Sequence, residues 1–186
     1  MKTGWEIIDP STTINDAIKS GLEIAISLCE TQDFSTRQKA FWRTMILDCR
    51  RSLLERRLIQ RASKCDYDIL REHYNKPQAS PEFTPYMKGL FNEVKHSLVF
   101  LRFVVTDNGS LAMVPFDTQM GDEIHILAGG NMPFVLRPSK ATFSLPGSPG
   151  VQNPCYTLIG ECYLDEAMDG QLADKLRDEA IDVFIV

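Results

Sequence analysis

Apolar residues recur at alternating positions in three short runs, Ile124 with Ile126, Phe134 with Leu136, and Leu158 with Cys162. Gly121, Gly129-Gly130, Pro133 and Gly160 punctuate them. A period of two closed by Gly or Pro predicts strands that bury one face, here over residues 121–130, 133–137 and 156–163. Val99 to Thr106 is rich in β-branched and aromatic residues, and Asp107-Asn108-Gly109 follows it. Because Asn-Gly tolerates positive φ, this predicts a hairpin with Leu111–Pro115 as the return strand. Pro138 to Pro154, around Leu145-Pro146-Gly147-Ser148-Pro149-Gly150, reads as an exposed loop. A turn at Met168-Asp169-Gly170, a short helix with Leu172, Leu176 and Ile181 inward, and a last strand over Val183–Val186 complete the chain.

The first half of the chain has a different period. Ile14, Ala17, Ile18, Leu22, Ala25, Ile26 and Cys29 lie at helical spacing, with Ser11, Thr12 or Thr13 as the N-cap. Trp5 to Pro10 reads as an extended lead-in. A second helix is expected from about Ser35 to Lys64, capped by Asp33 or Ser35, with Phe41, Trp42, Met45, Ile46, Cys49, Leu53, Leu54, Leu58 and Ile59 on its apolar positions. Prolines 77, 81 and 85 exclude a continuous helix, so residues 65–85 read as an irregular connection. A further helix, about Tyr86 to His96, places Met87, Leu90, Phe91, Val94 and Leu98 together. The pattern therefore predicts an α+β fold in which an N-terminal helical layer packs on a small antiparallel β-sheet or a partly closed β-barrel, followed by a short C-terminal helix. It is one domain, 1–186, with a mainly helical part (1–98) and a β-rich part (99–186).

Charge changes this picture in one place. The chain of 186 residues has a formal net charge of −5, which gives it no general attraction to a phosphate backbone, so nucleic acid is not an expected partner. The expected second helix nevertheless carries Arg37, Lys39, Arg43, Arg50, Arg51, Arg56, Arg57, Arg61 and Lys64 against Asp48 and Glu55. Either this face binds an anionic partner or it pairs with the acids between Glu161 and Asp182. Five cysteines without a C-x-x-C pair, and no secretory leader after Met1-Lys2, point to free thiols in a cytoplasmic protein. No apolar run approaches the roughly 20 residues of a membrane-spanning helix.

Motif chemistry is sparse. His73, His96 and His125 stand in no H-E-x-x-H or H-x-H frame, so no metal is expected. There is no Gly-x-Ser-x-Gly elbow, and the glycine pairs lack the helix and Lys of a P-loop, so no nucleotide cofactor is implied. The β-rich part is instead unusually aromatic and Met-rich. Met113, Phe116, Met120, Met132, Phe134, Phe143, Tyr156 and Tyr163 read either as core or as the wall of an apolar pocket. In the second case Trp42, Arg43, His125, Arg137, Tyr163 and Asp165 are the polar groups that converge on it. Arg43 and Arg137 also fit a structural role against carboxylates such as Asp122 or Glu161.

The order Gly121-Asp122, Pro133-Phe134-Val135-Leu136-Arg137, Gly160-Glu161-Cys162-Tyr163 and Met168-Asp169-Gly170 resembles the region downstream of the HET domain in fungal heterokaryon-incompatibility proteins. Ala40-Phe41-Trp42-Arg43-Thr44 and Arg102-Phe103 before Thr106-Asp107-Asn108-Gly109 resemble further signatures of these proteins, so the likeness spans about Phe34 to Gln171. Two departures stand out. The chain starts at Met1 with no room for the HET domain credited with the cell-death response, and Asp165-Glu166 replaces a His-Gly pair.

The resemblance leaves two functional expectations. In the first, a free-standing relative binds an apolar fungal secondary metabolite without a cofactor and acts as a cyclase or isomerase of the pericyclase type, by confinement and hydrogen bonding. His125, Tyr163, Asp165 and Arg137 would be its catalytic groups, and Trp42, Arg43, Met113, Phe116, Met132, Phe134 and Tyr156 would hold the substrate. In the second, the chain is a non-catalytic regulatory or interaction module. An enclosed aromatic cavity separates the two, and the pattern sets no oligomeric state.

Overall fold

The structure, a computed structural model, describes residues 13–27, 33–51, 59–144, 152–168, 172 and 180–186. The chain divides into two compact units, Gly4–Met113 and Val114–Val186. Helices dominate the first and strands the second, in keeping with the α+β expectation.

The first unit contains α1 (Ile14–Ser27), α2 (Phe34–Met45), β1 (Cys49–Arg51), β2 (Ile59–Arg61), α3 (Lys64–His73), α4 (Pro85–Phe100), β3 (Leu101–Val105) and the start of β4 (Leu111–Pro115). Helix α2 opens where Asp33 accepts from the Thr36 backbone N–H at 3.0 Å, and α4 where Thr84 accepts from Met87 with Pro85 in the first turn. Phe41, Trp42 and Met45 from α2 are fully buried with Leu70, Val94, Phe103 and Met113. Phe41 meets Trp42 and Phe103 edge-on, each at 5.2 Å between ring centroids, the geometry the ring quadrupoles favour. Buried Arg37 donates from Nε to Ala25 O at 2.7 Å and from Nη2 to Gly109 O at 2.6 Å. It thereby satisfies a carbonyl in the last turn of α1, where the helix dipole favours a cation, and ties α1 and α2 to the β3–β4 hairpin.

The expected single helix from Ser35 to Lys64 does not form. It stops at Met45, and Leu47 (φ 55°) and Asp48 (φ 54°) turn the backbone through the left-handed region. Asp tolerates that region but Leu does not, so neighbours must hold the turn. The Asp48 carboxylate, 8% exposed, accepts from Arg61 Nε at 2.7 Å and from the Tyr67 hydroxyl, while its carbonyl accepts from Ala62 N at 2.8 Å. Beyond the turn, β1 and β2 pair antiparallel, Cys49 opposite Arg61. The intervening Leu53, Leu54 and Leu58 lie outside the described residues. A second carboxylate, Asp66 with no exposure, accepts from Ser63 N and Oγ at 2.6 and 2.7 Å and from the Tyr86 hydroxyl, with Arg50 Nε 3.6 Å away. Burial, and then Asp66, push the Tyr86 hydroxyl up to about 12. Asp66 also starts α3, which runs through much of the stretch expected to be irregular, because the prolines begin only after its end.

The second unit is built on an open sheet. It contains β5 (Glu123–His125), β6 (Phe134–Phe143), β7 (Asn153–Glu161), β8 (Tyr163–Leu164) and β9 (Phe184–Ile185). The sheet order is β5-β6-β7-β9, with β7 and β9 parallel and the other pairs antiparallel. Among the described residues these four strands do not close into a barrel. Strands β6 and β7 extend into the stretch read as a loop, pairing as far as Phe143 with Asn153, while the Leu145–Gly150 core lies outside the described residues. So do Trp5–Pro10, Cys29 and most of the expected C-terminal helix. Val135, Leu136, Cys155, Tyr156, Cys162 and Tyr163 are buried. Register slips by one residue between Val135 and Leu136, opposite Gly160 and Leu158. Gly160 is needed there, because a Cβ would lie 2.9 Å from Pro115 Cγ. Among the described residues, no helix is long and apolar enough to cross a membrane.

Asp48→Ala removes the carboxylate that Arg61 and Tyr67 share and should lower the stability of the first unit by about 1–3 kcal/mol; urea denaturation followed by the fluorescence of buried Trp42 checks it. Gly160→Ala should cost the second unit about 1–3 kcal/mol through overpacking against Pro115, read as faster amide exchange along β7.

Candidate functional site

Strand alternation puts Glu123 and His125 on one face of β5, and the register places Tyr156 of β7 on the same face. The three side chains meet there. His125 Nε2 lies 2.9 Å from Glu123 Oε2, the Tyr156 hydroxyl donates to that same oxygen at 3.2 Å, and the His125 and Tyr156 rings cross edge-on at 5.0 Å. The Glu123 side chain is half exposed and that of His125 one-fifth exposed, so a carboxylate and an imidazole edge face solvent above a buried phenol. Burial, and then the Glu123 charge, hold the Tyr156 hydroxyl above its ordinary range. Glu123 is not among the residues expected from the sequence, although its spacing of two from His125 marks it as a same-face neighbour.

The other anticipated residues have separate surroundings. Arg137 Nε and Nη2 donate to the two oxygens of buried Asp122 at 2.8 and 3.0 Å, and Nη2 also donates to Asp117 O. Asp122 in turn accepts from Gln119 N. This bidentate pair fastens the β4–β5 connection onto β6, which is the structural role weighed for Arg137. The hydroxyl of buried Tyr163 donates to Asp165 Oδ1 at 3.2 Å. Phe134 packs against the Gly130 turn, while Phe116 and Met132 are partly buried. Trp42, Arg43 and Met113 belong to the first unit, where Trp42 and Met113 are core and the Arg43 carbonyl accepts from Asp48 N.

Two open clefts mark the surface of the first unit. One, about 440 Å³, is lined by Asn15, Tyr74 to Gln78, Phe91 and Lys95. The other, about 220 Å³, lies between the β1–β2 hairpin and α4, with Ile46, Cys49, Arg51, Ile59 and His96 among its walls. Neither lining includes a residue anticipated as catalytic or substrate-binding. The described arginines of the hairpin are also engaged: Arg61 with Asp48, Arg50 beside Asp66, and Arg51 with Glu93 at 3.0 Å. Acids of the first unit thus meet these three arginines of the basic stretch, which the sequence left to the C-terminal acids or a partner. Of the described cysteines, Cys155 and Cys162 are buried, and desolvation pushes the Cys162 thiol up to about 12, making it a poor nucleophile. Among the described residues, no group of three or more His, Cys, Asp or Glu side chains is arranged to hold a metal ion.

Residues 85–186, more than half of the chain, match the Het-6 beta-barrel domain. The chain belongs to this family. A 94-residue stretch is also 34% identical to heterokaryon incompatibility protein 6, OR allele, of Neurospora crassa. That stretch is 50% of this chain and 12% of the fungal protein, so the chain corresponds to a small part of that relative. No solved structure matches. The family match starts at α4, which leaves the Ala40–Thr44 signature outside it. These findings overturn the expectation of a metabolite cyclase or isomerase: both relationships lead to incompatibility proteins, in line with the second expectation, an interaction module.

Glu123→Gln should bring the Tyr156 pKa part of the way back towards the ordinary value of about 10, leaving the burial contribution in place. Because the folded pKa is the higher one, this tyrosine leaves stability intact below the unfolded value and erodes it as pH rises towards the folded one. Ultraviolet titration of the wild type and the variant, each against Tyr156→Phe, reads the shift.

Proposed function

We propose that this chain works as a non-catalytic regulatory or interaction module of the heterokaryon-incompatibility type, in the cytoplasm, by contacting another protein. The observation that carries the reading is the Het-6 domain match over residues 85–186. The fungal relative, itself named for incompatibility, supports it. The second unit has suitable chemistry for contact: Glu123 and His125 offer polar groups, and Leu158 on the same sheet face is 46% exposed. Solvent-facing apolar side chains beside a few oriented polar groups are a usual composition for a transient interface.

The test is genetic and quantitative. Expressed in a fungal host with tester strains of defined incompatibility genotype, the chain should change the yield of viable heterokaryons with at least one tester. Leu158→Asp combined with Glu123→Lys should abolish that change while leaving the protein folded by circular dichroism. Heterokaryon yields that match the empty-vector control with every tester would overturn the reading.

A further inference from the structure

The larger cleft of the first unit, about 440 Å³, has the volume of a site for a small organic molecule. It opens between the first turn of α1, the turn that follows α3, and α4. None of the described residues that line it is acidic, although acids outnumber bases in the whole chain by 25 to 20. Lys76 and Lys95 supply positive charge, carboxamides such as Asn15 and Gln78 supply donors and acceptors, and Tyr74 and Phe91 supply aromatic surface.

These groups are spread unevenly over the walls. Phe91 and Lys95 are four residues apart on α4 and so share one of its faces. Lys95 Nζ donates to Gln78 Oε1 at 3.1 Å, which holds the ammonium at that wall while using one of its three N–H donors. On the α1 side the Tyr74 hydroxyl donates to Asn15 O at 3.3 Å, and the Tyr74 ring is backed by buried Trp42 at 5.3 Å between centroids. Burial, and then the charges of Asp16 and Glu23, hold the Tyr74 hydroxyl above its ordinary range. Negative charge is therefore disfavoured near Tyr74 and belongs beside Lys95 and Gln78. Lys76 pairs with Glu82 at 2.8 Å, but both side chains are well exposed, and so solvent-screened a pair yields readily to an incoming anion.

We propose that this cleft binds a small organic anion whose planar body carries hydrogen-bonding edges, the chemistry of a nucleoside monophosphate. The phosphate meets Lys95, with Lys76 as a second cation, since a lysine serves phosphate as a point charge without any glycine-rich loop. The carboxamides pair with the edges of the base, and the aromatic side chains offer surface to its plane. This site lies within the first unit and uses none of the residues of the contact role proposed above, so it would stand if that role failed.

Amide shifts of the full chain, titrated separately with adenosine 5′-monophosphate, uridine 5′-monophosphate, adenosine and inorganic phosphate, provide the test. At least one nucleotide should give saturating shifts at Asn15, Tyr74, Lys76, Gln78 and Lys95, with adenosine and inorganic phosphate each at least tenfold weaker. Lys95→Gln should weaken nucleotide binding at least tenfold, whereas Lys88→Gln, exposed on the same helix but outside the cleft, should leave it unchanged. Gln78→Ala, on the turn after α3, should also weaken it and guards against a fold defect in α4. The proposal is overturned if neither nucleotide saturates those amides at millimolar concentration, or if Lys88→Gln costs as much as Lys95→Gln. Inorganic phosphate binding as tightly as the nucleotide would equally overturn it, since the planar body would then contribute nothing.

Discussion

Three buried aspartates, each engaged by an arginine, decide where this chain turns. Asp48 is held by Arg61, Asp66 lies beside Arg50, and Asp122 is clasped by Arg137. A carboxylate removed from water is tolerated only where hydrogen bonds and opposite charge replace its hydration. Each aspartate therefore fixes the segment that supplies its partners. Asp48 and Asp66 hold the β1–β2 hairpin and the start of α3, and Asp122 holds the connection into β5 against β6. Such pairs add little net stability compared with an apolar core. Removing one member of such a pair leaves the other's charge or donors unmatched, and that is where the cost appears.

The metabolite cyclase or isomerase expected from the sequence is set aside by the family match and the fungal relative, which lead to incompatibility proteins. Aromatic and Met residues in the β-rich part are equally compatible with a filled interior and with a ligand pocket. Trp42 and Met113 are core, Arg137 is spent on Asp122, and Tyr163 turns to Asp165. Glu123 and His125, both partly open to solvent, sit on the sheet face that carries exposed Leu158. That composition supports the contact role proposed above for this member of the Het-6 beta-barrel family.

Local patterns were legible where geometry is local. Asn108-Gly109 made the β3–β4 turn, with Gly109 at φ 84°, and the alternating runs of the second half became β5, β6 and β7. The final apolar residues became β9 on β7. The long second helix was misread because Ile46 and Cys49 continue a helical spacing that the chain does not follow. The signal that ends it is Asp48, whose left-handed conformation depends on Arg61 and Tyr67, residues that follow it by more than a dozen positions. The site is half legible in the sequence: His125 and Tyr156 stand out individually, but their meeting with Glu123 depends on strand register.

By itself, then, the amino-acid order determined the element types, the hairpin turn, the α+β class and the family likeness, because periodicity, turn chemistry and short motifs act between near neighbours. Only the tertiary structure decided which arginine satisfies which buried aspartate, where α2 stops, and which polar side chains share a face. Those outcomes depend on desolvation and on pairing between residues far apart in the chain, and neither is written in any local window of residues.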